Sequence, residues 1–265
     1  MEEYKIKKGR KGQITIFVIV AIIIIAGVAL VFMLKEPSGG QEEVATSSNP
    51  TATIVKCAED AFTDAEALLI PQGGFMDDKI MEGDYLFYEE SKVVWMCYTG
   101  ENEVLCSNRH PMLNKEIEKG IYDYVKPKLD KCFADIKNDF SGYDYSESSL
   151  DLVVNIIPRR ALIIINKNIT VEKNGQRYYF DNFDVSLASP LYDFISISSD
   201  ILREETLCEC GEETCNADII KLNMDNRKYE ITRFVTGRNE KIYSIKEIIS
   251  GKQFNFALRN CVRMP

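Results

Sequence analysis

From Ile14 to Leu34 the chain runs through 21 residues without a charge (ITIFVIVAIIIIAGVALVFML). At about 1.5 Å per residue, a helix of that length reaches roughly 31 Å, close to the hydrocarbon thickness of a bilayer. The β-branched run Ile22–Ile25 is a poor helix former in water. In lipid, however, a helix is the one single-segment conformation that satisfies its own backbone. The pattern predicts a transmembrane helix over residues 13–35, contacting the bilayer through 14–34. Beyond it, Glu36–Pro50 (EPSGGQEEVATSSNP) has no apolar periodicity and reads as a flexible spacer.

The remainder, 51–265, alternates between two periods. Ile54, Val55, Ala58, Phe62, Ala65 and Leu68/Leu69 fall at helical spacing over Thr51–Leu69, stopped by Pro71-Gln72-Gly73-Gly74. A second helix is expected over Met112–Asn138, with an apolar stripe from Ile117 to Ile136 and a bend near Pro127. A third is expected over Leu191–Leu207. Strands are expected at Tyr85–Tyr88, Val93–Tyr98, Val104–Cys106, Leu150–Ile157, Ala161–Val171 and Tyr178–Leu187. From Ile219 onward the tail reads as short strands, at Tyr229–Val235, Ile242–Ile248 and Gln253–Leu258. Lys173-Asn174-Gly175-Gln176 between two such runs is a hairpin signal. Helices set between groups of adjacent strands indicate an α+β fold, an antiparallel sheet with helices on one face.

Charge gives the span a direction. Residues 1–12 carry five basic groups against two acids, a local +3, while the whole chain sums to −9. This basic leader places the N-terminus in the cytoplasm and the body outside it, a single-pass cell-membrane protein with an extracellular C-terminal domain. An acidic body repels phosphate backbones, which argues against a nucleic-acid partner. A cleaved secretory signal would have a shorter core and a small-residue site, whereas Glu36-Pro37-Ser38-Gly39-Gly40 reads as linker.

The junction Lys11-Gly12-Gln13-Ile14-Thr15-Ile16-Phe17, basic residues then Gly-Gln running into an apolar helix, resembles archaeal class III signal peptides of type IV pilin-like proteins. The resemblance covers about 25 residues. It implies cleavage between Gly12 and Gln13, with the helix kept as anchor and filament core. The fifth mature position, commonly Glu in that family, is Phe17 here, a departure that bears on filament assembly more than on processing. The chain also resembles archaeal membrane-anchored surface proteins with a Lys-Gly-Gln-apolar start and a Cys-containing domain. Within it, Val55–Met76 (VKCAEDAFTDAEALLIPQGGFM) carries that likeness, which brings no activity with it.

All eight cysteines, Cys57, Cys97, Cys106, Cys132, Cys208, Cys210, Cys215 and Cys261, follow the span. An even number outside the cytoplasm favours disulfides. Cys97 and Cys106 flank a Gly-containing turn and suit a cross-hairpin bridge. Cys57 and Cys132 lie on apolar helix faces and suit a bridge between helices. The other four would then pair among themselves. The alternatives are zinc at Cys208, Cys210, Cys215 and Cys261, whose C-x-C-x4-C spacing departs from the usual paired C-x2-C, or free thiols.

Signatures of chemistry are sparse. His110, the single histidine, precedes Pro111 and reads as a turn or cap residue, although Ser107 and Cys106 stand near it in sequence. No H-E-x-x-H, G-x-S-x-G, G-x-x-x-x-G-K-[ST] or G-x-G-x-x-G motif occurs, nor a calcium loop. Carboxylate pairs such as Asp181/Asp184 and Glu212/Glu213 read as solvated surface. Asn168-Ile169-Thr170 is a glycosylation sequon, and Gln176–Phe180, mixing a base with aromatics, reads as half-buried strand. The expectation is a non-enzymatic surface protein without a cofactor, partnered by itself or other surface proteins. The alternatives are the ectodomain of a single-span binding or sensor subunit, and an ectoenzyme.

Overall fold

The computed structural model describes residues 50–76, 80–81, 83–101, 103–207, 217–236 and 240–260. The expected span, the Gly12/Gln13 junction, the spacer to Asn49 and Cys208, Cys210, Cys215 and Cys261 lie outside them. Among the described residues no helix is long and apolar enough to cross a membrane.

Helix α1 (Pro50–Leu69) buries Ile54, Ala58, Ala61, Phe62, Ala65 and Leu69. Three alanines on that face keep its surface low, so α2 (Leu113–Asp139) packs closely along it. The α2 stripe is Leu113, Ile117, Ile121, Val125, Leu129, Phe133 and Ile136. This helix continues unbroken through Pro127, which faces solvent, so the carbonyl deprived of a donor is open to water. A short 3-10 turn, Ile70–Gln72, ends α1, and the two glycines after it take positive φ (73° and 96°). A Cβ on Gly74 would overlap the Ile117 side chain, and one on Gly73 would stand 2.9 Å from the Asn255 carbonyl oxygen. Glycine is required there by conformation and by space.

Among the described residues there are three sheets, where the sequence pattern suggested one. The largest joins β1 (Tyr85–Tyr88), β2 (Ser91–Tyr98), β12 (Gln253–Arg259), β11 (Lys241–Glu247) and β10 (Tyr229–Val235) in that spatial order, with β3 (Ser107–Asn108) also on β2. Its pairs are antiparallel except β2 with β12, which run parallel with a register shift between Ala257 and Leu258. Four strand spacings of about 4.8 Å separate β1 from β10, about 19 Å. Yet the Tyr88 and Phe234 ring centroids are 5.9 Å apart. Side chains lying flat do not span that gap, so the sheet curls. Inside the curl sits a satellite core of Val93, Trp95, Ile242 and Ala257.

The other two sheets come from hairpins that share partners. β5 (Asp151–Ile157) and β6 (Arg160–Asn166) pair with β9 (Val185–Ala188), while β7 (Ile169–Lys173) and β8 (Gln176–Phe180) pair with β4 (Asp144–Glu147). Asn174 and Gly175 both adopt positive φ, the two-residue turn that Asn-Gly predicts. The expected run Ala161–Val171 is two strands. Its break is at Lys167, whose ammonium is buried, paired with Glu147 at 2.9 Å and 4.8 Å from the Phe133 ring centroid. Tyr178–Leu187 likewise divides between β8 and β9. Residues Val104–Cys106 are not strand; the pairing falls on Ser107–Asn108.

Helix α3 (Leu191–Thr206) packs on β5, β6 and β11. The tail from Ile219 reads as short strands, but before the first of them Ile219–Asp225 forms a short helix, α4, capped by Asp218, whose carboxylate accepts from Lys221 N at 3.0 Å. Asn223 then reaches β10: its amide donates to Ile231 O at 3.0 Å and its oxygen accepts from Ile231 N at 2.7 Å. One side chain thereby satisfies a backbone pair on an otherwise open sheet edge. The described residues belong to one compact unit.

Candidate functional site

A concavity among the described residues lies where β9 enters α3. Two adjoining hollows, about 380 and 250 Å³, share Asp193, Lys228 and Tyr229. Beneath the smaller is Glu66, an acid on the inward stripe of α1 and almost fully buried. Its carboxylate accepts from Ser189 Oγ at 2.5 Å and pairs with Lys252. Ser189 Oγ in turn accepts from Leu191 N at 3.2 Å, so one hydroxyl ties the first turn of α3 to the end of α1. Tyr229 donates to Asp193 at 2.7 Å; burial first, and then the Asp193 carboxylate, push its phenol well above the ordinary range.

Arg159, Arg227, Lys228 and Lys252 face Asp193, Asp225 and Glu247 around this groove. The lining mixes polar and apolar surface, and the charges nearly cancel. Such a surface offers donors and acceptors of both signs, suited to holding a polar partner. The Ser189 hydroxyl is engaged on both sides and is not a free nucleophile.

A second polar centre lies inside the molecule, at the far end of α3. Glu205 is fully buried and holds three partners: Lys241 Nζ at 2.5 Å, the Tyr243 hydroxyl, and Ala217 N at 3.2 Å. Asn260 donates to the Glu205 carbonyl at 2.6 Å and accepts from Cys106 N at 2.8 Å. The backbone at Glu205 is thus connected, through Asn260, to the Cys97–Cys106 bridge.

The structure pairs Cys57 with Cys132, joining α1 to α2 across a Cα–Cα distance of 6.6 Å, and Cys97 with Cys106 at 5.5 Å. Cys106 is therefore no thiol nucleophile for His110. That ring instead makes a 2.7 Å contact with Glu116 and packs on Phe75, while the His110 carbonyl accepts from Leu113 N at 3.2 Å at the helix entry. Asn168 is exposed in the β6–β7 turn, held through its backbone by Ser148. Asp181 and Asp184 serve locally, bonding Asn182 at 2.7 Å and Ile165 N at 2.9 Å. Among the described residues no group of three or more His, Cys, Asp or Glu is arranged to hold a metal.

None of the groove residues, nor Glu205, stood out in the sequence. A signal existed: Glu66 follows Phe62 by four, and Glu205 follows Ile201 by four, acids placed on apolar stripes. Set against family models, curated proteins and solved structures, the chain matches none. What the described residues define is an α+β domain of antiparallel-rich sheets with two disulfides.

Proposed function

We propose that this chain is a membrane-anchored, pilin-like cell-surface protein whose outer domain makes structural or interaction contacts and carries out no catalysis. One observation carries the proposal. Two disulfides join described residues of a chain in which every cysteine follows the apolar stretch 14–34. Disulfides persist in oxidising compartments, which is where a basic leader and an uncharged span would deliver this domain. The bilayer is the first partner, through residues 14–34; further partners are copies of the chain or other surface proteins. The Gly12-Gln13 junction supports prepilin-type processing.

The mature N-terminus tests this proposal. Mass spectrometry of the membrane fraction should find a chain beginning at Gln13. External protease should digest the domain on intact cells. A cytosolic, reduced species would remove the whole proposal, and an intact Met1 would remove the pilin-like part. A second reading, the ectodomain of a single-span binding or sensor subunit, is favoured by Phe17 and by the mixed-charge groove. Filaments containing the protein, seen by electron microscopy, would decide against it.

A further inference from the structure

The segment Gln176–Phe180 plays no part in the proposal above, and its outward face is unusual. Strand register across β4, β7 and β8 aligns two rows of side chains. Asp144 stands opposite Glu172, which stands opposite Arg177; Ser146 stands opposite Thr170, which stands opposite Tyr179. A hollow of about 370 Å³ is lined by these six residues and by Tyr145, whose ring stacks on Phe140.

Tyr179 is 69% exposed, whereas Phe180 beside it turns inward onto Phe140. A mid-strand ring turned to water gains nothing from the core. It is nonetheless oriented: Arg177 Nη1 reaches the Tyr179 hydroxyl at 3.4 Å, and Glu172 holds that guanidinium through Nε at 2.9 Å and Nη2 at 2.7 Å. Next to this braced ring, the side chains of Asp144, Ser146 and Thr170 have no hydrogen-bond partner among the described residues.

The charges narrow the ligand class. Arg177 and Glu172 neutralise each other, leaving one carboxylate, Asp144. A polyanion meets no net attraction, a cation meets a single uncommitted acid, and one exposed ring beside the half-buried Tyr145 is too little apolar area for a lipid tail. A ring with an apolar C–H face and hydroxyls at its edge meets all the groups present. We infer that the β4–β7–β8 face is a carbohydrate-binding platform for a neutral pyranose. The sugar's C–H face stacks on Tyr179, and its hydroxyls bond to Asp144, Ser146 and Thr170.

This inference is independent of the anchor and of any filament. Full-length protein in nanodiscs is applied to an array of neutral oligosaccharides of glucose, galactose, mannose and N-acetylglucosamine, and bound members are titrated by calorimetry. The expected Kd is on the order of 0.1–1 mM, typical of one stacked ring and a few hydrogen bonds. Tyr179→Ala should weaken binding at least about tenfold, Tyr179→Trp should keep it, and Asp144→Asn should weaken it by about threefold to tenfold. Tyr179 is exposed, so the fold survives these changes, checked by an unchanged melting temperature. The inference is overturned if no array member binds, or if Tyr179→Ala binds as tightly as the parent.

Discussion

The two disulfides among the described residues secure regions built on opposite principles. The α1–α2 pair is an apolar seam: alanines and branched side chains interlock, and Cys57–Cys132 closes a loop of sequence separation 75 over it. The end of α3 is a polar knot. Here Glu205 gathers Lys241, Tyr243 and the Ala217 amide, while the nearby Cys97–Cys106 bridge closes a separation of only 9. In the first region the covalent bond acts chiefly on the unfolded chain, because it forbids an extended loop. In the second, the folded state itself depends on every partner of one buried acid being present. The difference teaches that similar bridges contribute unequally, and that the region with the weaker bridge relies on chemistry instead.

The strongest way to break this comparison is to open the bridges one at a time. Loop-closure entropy predicts a loss of about 4.5 kcal/mol for Cys57→Ser with Cys132→Ser, against about 2.6 kcal/mol for Cys97→Ser with Cys106→Ser. Urea unfolding of the purified, non-reduced protein measures both. Equal losses would show that loop length is not what separates them. Removing the acid is expected to come between the two. Glu205→Ala takes the carboxylate away from a buried lysine, a buried phenol and a backbone amide, a loss of about 3 kcal/mol. Glu205→Gln, which keeps hydrogen-bonding capacity, should retain part of it. A negligible loss for Glu205→Ala would mean that the knot is ornamental and the apolar contacts of α3 suffice.

The two regions also differ in how far they could be read from the sequence. The seam was legible, because apolar stripes at helical spacing placed α1 and α2 to within a residue at each end and put Cys57 and Cys132 on facing surfaces. Asn174-Gly175 gave away its hairpin through the conformation that glycine and asparagine tolerate. The knot was not legible, because Glu205, Lys241, Tyr243 and Asn260 are far apart in the chain and only the fold joins them. The strands also misled where apolar character ran on through a change of partner. Between β6 and β7, a buried Lys167 marks the exchange without breaking the hydropathy. Ile219–Asp225 is a helix of only seven residues ahead of the tail strands, and its one local signal is the Asp218 cap. Strand β4 has few apolar residues and is held by its pairing with β7. The groove at the start of α3 draws on α1, α3, the α4–β10 junction and the β11–β12 turn, a convergence no local pattern announces.

The smallest effect is the most specific to the knot. Burial first, and the neighbouring Glu205 carboxylate second, raise the Tyr243 phenol far above its ordinary value of 10.0, with Arg233 opposing them. A group with a raised folded value keeps its proton when the unfolded chain loses it. The contribution of Tyr243 is therefore complete below about pH 10 and declines above it, by about 1.4 kcal/mol per pH unit. Tyr243→Phe lacks that titration. At neutral pH it should be less stable than the parent by about 1–2 kcal/mol, for the hydroxyl withdrawn from Glu205. As pH rises past 10 the parent falls faster, so the two stability curves should meet at about pH 11. Tyr229 and Tyr145, also raised chiefly by burial, titrate in both proteins and cancel from the difference. Urea melts of the two proteins at half-unit steps from pH 8 to 11.5 would locate the meeting point. Curves that stay parallel throughout would mean that Tyr243 ionises as freely in the folded protein as in the unfolded one, and that the end of α3 is wet.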